Sequence, residues 1–519
     1  MTRWFALISA MSLAACTGHG GGDDASPPMC DPSTDACSGA CATVDSDGDT
    51  WSDEVEAVLG TSPTDAEDNP ATRDELVFVV PYKETPQPAE RAIETPAKLA
   101  RADIAILLDT TGSMTGTTTR IHNALAEIVS TLSAEVEDIA FGAAGYGDFP
   151  FYDGANSDYD VPFYVVHRIM TARSDAGLAS IASSFQYKNI TDGLGNWWSI
   201  MRGGDEPEQH WEALRQVATG IGITYPAPFG TGTRSVPAFD AATAYPAQPP
   251  TGEEIGTIGG LGFRENSTPI IIQITDTNAH DGGMTTTNPV SATRAVALAA
   301  LRAIKARVVG VMAYSNVGHD DLAAMAIDTG GVVDPSAWGT GSERPANCPV
   351  GKCCVNADDS VPVVQPDPDP ATGKCTLVFK ADFYSTNLSK MVIQGVIGVV
   401  RGSKFQIGAK LVDDPADDVD TAEAFVERVE ALPSGACAGT TVIDTDHDGV
   451  PDTFGALVGG SLACFRIKVR PNTTVGAEET TRVFHATFQL TGDGVASFRT
   501  RGVTFVVPGK SCGSGPILL

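Results

Sequence analysis

The sequence predicts an α/β protein, built on a mostly parallel central sheet with helices on both faces, followed by a C-terminal all-β sandwich. Three observations lead there. Across residues 102–400, short apolar runs alternate with amphipathic stretches of helical period, the pattern of a parallel sheet buried on both faces. Two of those runs, at 104–108 and 270–275, end abruptly in the acids Asp109 and Asp276, and ligands of open parallel sheets sit beyond the carboxyl ends of such strands. Beyond Ser403 the apolar period becomes two, broken by Gly, Pro, Asn and Asp turns, as in a sandwich of short strands.

The elements follow in order. A strand at 104–108 leads to a helix near 119–132, a strand at 139–144 and a helix beginning near Glu208. A strand at 270–275, a helix near 292–305 and a strand at 308–313 come next. A capped helix at 319–328 is closed by Gly330-Gly331. A cysteine-rich insertion, 337–374, carries a Pro-Asp-Pro-Asp-Pro run, and a strand at 376–379 and a helix at 389–400 complete the α/β unit. Alternation marks strands at 405–411, 464–469, 483–488 and 503–507. The boundaries drawn from this pattern are 73–402 for the α/β domain and 403–519 for the sandwich.

Ahead of them, Arg3 and an apolar run from Trp4 to Leu13 precede Leu13-Ala-Ala-Cys16, so 1–15 reads as a secretory signal too short to span a bilayer as a stable helix. The segment resembles the bacterial lipobox, which implies cleavage before Cys16, acylation of its thiol and a membrane contact through that lipid. Thr17 follows the cysteine where an aspartate is absent, and by resemblance to the sorting rule of enteric bacteria this implies the outer membrane, facing the periplasm or the surface. Residues 16–42 read as a flexible Gly/Asp/Pro tether with Cys30, Cys37 and Cys41 near its end.

In 43–72, Asp45, Asp47, Asp49, Asp53 and Glu56 fall at the first, third, fifth, ninth and twelfth positions of a loop, and Trp51 offers a backbone carbonyl at the seventh: the spacing of a Ca²⁺ site. Its glycine stands fourth, not sixth as in an EF-hand. With Leu59-Gly-Thr-Ser-Pro63 the segment resembles the thrombospondin type 3 calcium repeat of bacterial surface proteins. The loop 444–452 repeats the alternation with Asp444, Asp446, Asp448 and Asp452, but Gly455 takes the twelfth position, so weak Ca²⁺ binding and a plain acidic turn both fit it.

Composition narrows the function classes. Acids outnumber bases 65 to 34 over 519 residues, and a net charge of −31 repels nucleic acid and anionic lipid head groups while attracting divalent cations. Eleven cysteines, ten once Cys16 is set aside, suit disulfides in an oxidising compartment. The alternative use of Cys348, Cys353, Cys354 and Cys375 is a zinc site, although they lack paired C-x-x-C knuckles.

The densest chemistry lies just past the strand at 104–108. Asp109, Thr111 and Ser113 offer one carboxylate and two hydroxyls from alternate positions of a tight loop, a partial ligand set for a hard divalent ion. Asp109-Thr-Thr-Gly-Ser113, with its flanking strands, resembles the metal-ion-dependent adhesion site of von Willebrand factor A domains, a Rossmann-like fold, and the resemblance covers about 300 residues. The run Gly203-Gly-Asp-Glu-Pro-Glu-Gln-His-Trp-Glu-Ala-Leu214 looks like the corresponding loop of integrin β-subunit I-like domains, which implies Glu208 as a third-loop ligand. The run from Ile274 to Gly282 is similar to the loop that furnishes the remaining acid, which implies Asp276. By the same resemblance Asp148 and Asp205 fall where a second, synergistic cation would bind, though Gly203 stands where the family has an asparagine. The acids of the family's inhibitory adjacent site are replaced by Thr115-Gly-Thr-Thr-Thr119.

No catalytic motif accompanies this set: Ser113 lacks a nucleophile elbow, and the sequence holds no H-E-x-x-H, Walker loop or G-x-G-x-x-G after a strand. His210 and His280 read as structural, and the pair Trp197-Trp198 as core. The expectation is therefore a non-enzymatic envelope lipoprotein that binds a protein ligand, or mediates adhesion, through a carboxylate coordinated to Mg²⁺, Mn²⁺ or Ca²⁺. The alternative is a structural subunit of an envelope or motility assembly with a constitutive metal.

Overall fold

The computed structural model describes residues 44–150, 160–189, 195, 197–201, 203, 206–227, 232–280, 291–313, 316–342, 344–345, 347–356, 364–381, 386–478 and 480–509. Cys16, Cys30, Cys37, Cys41 and Asp205, named above for the expected lipid anchor, the tether and the second cation, lie outside them.

The α/β expectation holds. Six strands form one sheet in the order Val378–Lys380, Arg307–Met312, Thr268–Thr275, Arg101–Asp109, Asp138–Tyr146 and Tyr164–Thr171. Neighbours are parallel except at the last pair, where Tyr164–Thr171 runs antiparallel at the edge. The residues Ile104 to Leu108 are buried without exposure, which is why this strand is a continuous apolar run and not an alternating one. From the central strand Arg101–Asp109 the chain steps outward through two strands, then returns to the other side at Thr268–Thr275. The crevice where the strand order reverses therefore opens at Asp109.

Helices cover both faces. Ala105, Leu107, Ile271 and Val308 share a core with Leu214 and Val217 of the helix His210–Thr219 and with Ala297 and Leu301 of Arg294–Ala303. Val309 points the opposite way, against Gly395 of the helix Leu388–Gly402, where an added Cβ would come within 2.7 Å of Val309 Cγ1. Thr115–Glu135 packs beside that helix. At the other end of the central strand, Asp103 and Arg264 form a fully buried ion pair at 2.7 Å, and Arg264 reaches on to Asp138 at 2.7 Å.

The sandwich holds too, but its boundaries differ from those read in the sequence. One sheet contains Lys404–Asp413, Val442–Ile443, Thr453–Val458, Arg482–Gly492 and Ala496–Val507, and the facing one contains Val426–Ala431, Leu462–Val469 and Glu90–Pro96. Phe465 of the smaller sheet sits between Phe454 and Phe488 of the larger, with ring centroids 5.3 and 5.9 Å apart. Glu90–Pro96, placed by sequence in the α/β domain, pairs antiparallel with Leu462–Val469, Ile93 opposite Phe465. The boundary at 73 is corrected accordingly: the α/β domain is inserted into a β-domain whose strands flank it on both sides. Entry and exit meet at one turn, since Ala97 N donates to Ser461 O at 2.8 Å and Gly459 N to Ser403 O at 3.1 Å.

The described residues divide into two compact units, one within Met1–Gln87, Asn472–Val483 and Phe505–Leu519, the other within Pro88–Pro471 and Phe484–Thr504. In the first, the helix Asp53–Leu59 is N-capped by Ser52, and Trp51 and Val55 pack on Val77, Val79 and Val506. Phe78 of Leu76–Val79 stacks on Phe505 at 5.6 Å.

The cysteines settle between the two readings of the insertion. Cys348 pairs with Cys354 and Cys353 with Cys375, so the zinc alternative falls, because disulfide sulfurs offer no thiolate. Cys437–Cys464 forms a further disulfide, this one in the sandwich.

Candidate metal centre

Asp109 ends the central strand and is fully buried. Its Oδ1 accepts from Thr111 N at 3.0 Å and Thr111 Oγ1 at 2.7 Å, while Oδ2 accepts from Thr275 Oγ1 at 2.8 Å. Thr111 Oγ1 and Ser113 Oγ lie 3.3 Å apart. The short turn Gly112–Met114, which leads into the helix Thr115–Glu135, carries Ser113 to the surface, whereas Thr111 stays buried. One loop thus lines up a carboxylate and two hydroxyls from the interior outward.

Asp276 follows directly from Thr275 on the neighbouring strand and is 9% exposed. Burial, and after it the charge of Asp276, push the Asp109 carboxyl up to about 7. Two acids brought this close in a low-dielectric setting favour a cation between them. Glu208 joins through its backbone: Glu208 N donates to Asn278 O at 2.9 Å, and His280 N donates to Glu208 O at 2.7 Å, so the third loop is laced to the one after Asp276. Glu208 is buried.

Gly203 explains one departure from the resembled pattern. Its φ is +56°, and an added Cβ would stand 2.7 Å from Thr111 Cβ and 3.0 Å from Glu208 Oε1. The same numbers place Thr111, through its Cβ and Cγ2, and Glu208, through Oε1, both against Gly203. The three carboxylates Asp109, Glu208 and Asp276 do not close to within 4.8 Å of one another; among the described residues that convergence is reached by Asp45, Asp47 and Asp49 and by Asp444, Asp446 and Asp452. Bridging water in the shell of a hard ion accommodates the wider spacing.

Asp148, expected from sequence at a second cation site, is held by protein donors. Its Oδ1 accepts from Gln209 Nε2 at 2.8 Å and Phe149 N at 2.7 Å, and its Oδ2 faces His280 Nε2 at 3.1 Å. Protein donors already surround this carboxylate, and burial holds it above its ordinary value. Trp198 is core, packed on Phe185 with centroids 4.9 Å apart. Two further residues stand beside the site: Thr275, read from sequence only as part of a strand, and His210, read as structural. His210 opens the helix His210–Thr219, its Nε2 is 3.3 Å from Thr275 Oγ1, and burial holds its pKa down to about 3, so the ring is neutral.

The two acidic loops repeat each other bond for bond. In the first, Asp45 accepts from Gly48 N and Thr50 N, Asp47 from Asp49 N, Asp49 from Trp51 N, and Asp53 from Ser46 N and Oγ. In the second, Asp444 accepts from His447 N and Gly449 N, Asp446 from Asp448 N, Asp448 from Val450 N, and Asp452 from Thr445 N and Oγ1. They differ at the twelfth position. Glu56 is buried, its Oε2 has no hydrogen-bond partner, and burial followed by the charges of Asp49 and Asp47 pushes its carboxyl up to about 8. Asp47 is raised for the same reasons, and its Oδ2 and that of Asp49 are likewise buried and unbonded. Buried carboxylate oxygens aimed together without donors fit a cation in this loop. Gly455 offers nothing equivalent to the second.

No family model matches the chain, and no curated protein matches it. Among solved structures it is similar to a von Willebrand factor type A protein from Catenulispora acidiphila, at 13% identity and a TM-score of 0.30, over 83% of this chain and 71% of that one. It is similar to the pilus adhesin SpaC from Lactobacillus rhamnosus GG in its open conformation, at 11% identity and a TM-score of 0.26, over 81% of this chain and 45% of that one. Proximal thread matrix protein 1 from the mussel byssus gives 12% identity and a TM-score of 0.28 over 62% and 50%. The chain thus spans about half the length of the latter two. Scores this low carry no argument, and the architecture rests on the strand order described above.

Proposed function

We propose that the chain is a cell-envelope lipoprotein, anchored to the outer membrane through Cys16, that binds a protein partner through a divalent cation held by Asp109, Thr111, Ser113, Glu208 and Asp276. The observation that supports this best is the strand-order reversal at Asp109, where two acids and two hydroxyls converge and the buried Asp109 carboxyl is pushed up to about 7 by burial and by Asp276. All-oxygen ligands suit Mg²⁺, with Mn²⁺ or Ca²⁺ as substitutes, and Ca²⁺ suits the loop 45–56. When bound, the cation supplies a coordination position that a carboxylate of the partner fills. The chain's own part is to hold the ligand oxygens in place: Thr111 orients Asp109 through two hydrogen bonds, and exposed Ser113 keeps the site open to a partner.

Binding fits these residues better than catalysis. Ser113 Oγ stands beside Thr111 Oγ1 within the oxygen set, and a cation-bound hydroxyl is a poor nucleophile; His210 is buried and turned to Thr275.

The test is a capture experiment from native envelope extract, with mature protein and Asp109→Ala side by side in Mg²⁺. The variant leaves the acidic loops intact. A partner is expected to bind the wild type and to be lost, by at least about tenfold, from the variant. Equal capture by both proteins would remove the site from recognition and assign it a constitutive structural role.

A further inference from the structure

Thr275 Oγ1 is a three-way junction behind the site. It lies 2.8 Å from Asp109 Oδ2, 3.3 Å from His210 Nε2 and 3.3 Å from Thr277 N. A hydroxyl has a single proton to give. A cation-bound carboxylate has none, so the Thr275 proton goes to Asp109, and Thr277 N necessarily donates to Thr275. His210 can join only as a donor, with its proton on Nε2. The other ring nitrogen agrees: Nδ1 is buried without a hydrogen-bond partner, which is cheaper for a lone pair than for an N–H. The ring is held in that pose edge-on to Tyr146, centroids 5.5 Å apart.

We propose that His210 and Thr275 are positioning residues that set the cation affinity of the site: His210 Nε2–H donates to Thr275 Oγ1, whose proton is thereby committed to Asp109 Oδ2. Asp109 then meets the cation with one oxygen held from behind and the other held by Thr111, so neither has to be reoriented on binding. A hydroxyl that accepts two bonds donates more strongly, and the imidazole adds a dipole to the pair without adding a side-chain contact to the cation. This inference rests on the cation site described above.

The experiment counts bound Mn²⁺ by electron paramagnetic resonance on the full chain, taking the ions lost in Asp109→Ala as those of this site. Thr275→Val and His210→Leu are expected to weaken that Mn²⁺ by about tenfold or more, the range for removing an outer partner of a metal ligand. Thr275→Ser keeps the hydroxyl and His210→Gln keeps a donor near Nε2, and each is expected to restore affinity to within about threefold of wild type. Melting temperature is measured alongside, because a merely structural role would lower it in Val and Leu variants and leave the Mn²⁺ affinity alone. Wild-type affinity in both Val and Leu variants, or failure of both conservative variants to bind although folded, overturns the relay while the site itself stands. Identical Mn²⁺ counts in wild type and Asp109→Ala would instead remove the cation site.

Discussion

At the scale of single residues, two carboxyls carry a pH signature. Asp109 is raised to about 7 and Glu56 to about 8, each first by burial and then by neighbouring acids. A carboxyl raised on folding binds its proton more tightly folded than unfolded. Its favourable contribution is therefore complete below the unfolded pKa, near about 4, and is lost as pH climbs through the folded value. In chelator the melting temperature is expected to fall between about pH 5 and 8, and the gain on adding Ca²⁺ and Mg²⁺ to widen over the same interval. A gap that stays constant with pH would show that neither carboxyl titrates with its cation. The proposed ligand residues are legible locally, as an acid at the end of an apolar run or as hydroxyls at alternate positions. The link between Thr275 and His210 was not: a threonine inside a β-branched strand reads as strand propensity, and the histidine it meets is 65 positions away. The neighbour of Asp148 was hidden in the same way, since His280, which faces it, is 132 positions away.

Among the elements, the central strand is fastened at its start by a charge pair and at its end by the hydrogen-bonded loop from Asp109 to Ser113. Arg264 and Asp103 are both almost wholly buried, and Asp103 also accepts from Ser267 Oγ at 2.8 Å. Arg264→Leu is expected to cost about 3–5 kcal/mol in urea unfolding, because it strands a buried carboxylate, and Asp103→Leu combined with it to recover part of that loss. A single substitution as mild as a surface change would show water reaching Asp103. For the loop 45–56, Ca²⁺ at about a hundredfold over its dissociation constant is expected to add about 2.7 kcal/mol to the first unit, read as slower proteolysis between residues 45 and 70. Glu56→Ala should abolish the protection, and cleavage indifferent to chelation would argue that the buried acids are neutralised by protons alone. Helices and parallel strands were readable because period and capping are local. Strand pairing was not: nothing in Glu90–Pro96 points to Leu462–Val469 as its neighbour, and only the folded chain supplies that partner.

For the whole molecule, composition and cysteine number gave the compartment expectation, while the order of domains along the chain concealed how they are nested. The α/β domain is fixed to its host by more than the two chain crossings at Gly459–Ser461: Arg307 pairs with Asp493 at 2.6 Å and lies over Phe405, 5.3 Å from its ring centroid. The nesting has a mechanical meaning. A domain strung between two linkers passes every pull straight through itself, but a domain inserted as a loop hangs to the side of its host's load path. Tension running along the β-domain's own strands need not unravel the parallel sheet, and a pull applied at the Asp109 end of that sheet is shared by two roots at once, one in Glu90–Pro96 and the other in Lys404–Asp413. Such a joint resists peeling, because neither root can be drawn out without also loading the other.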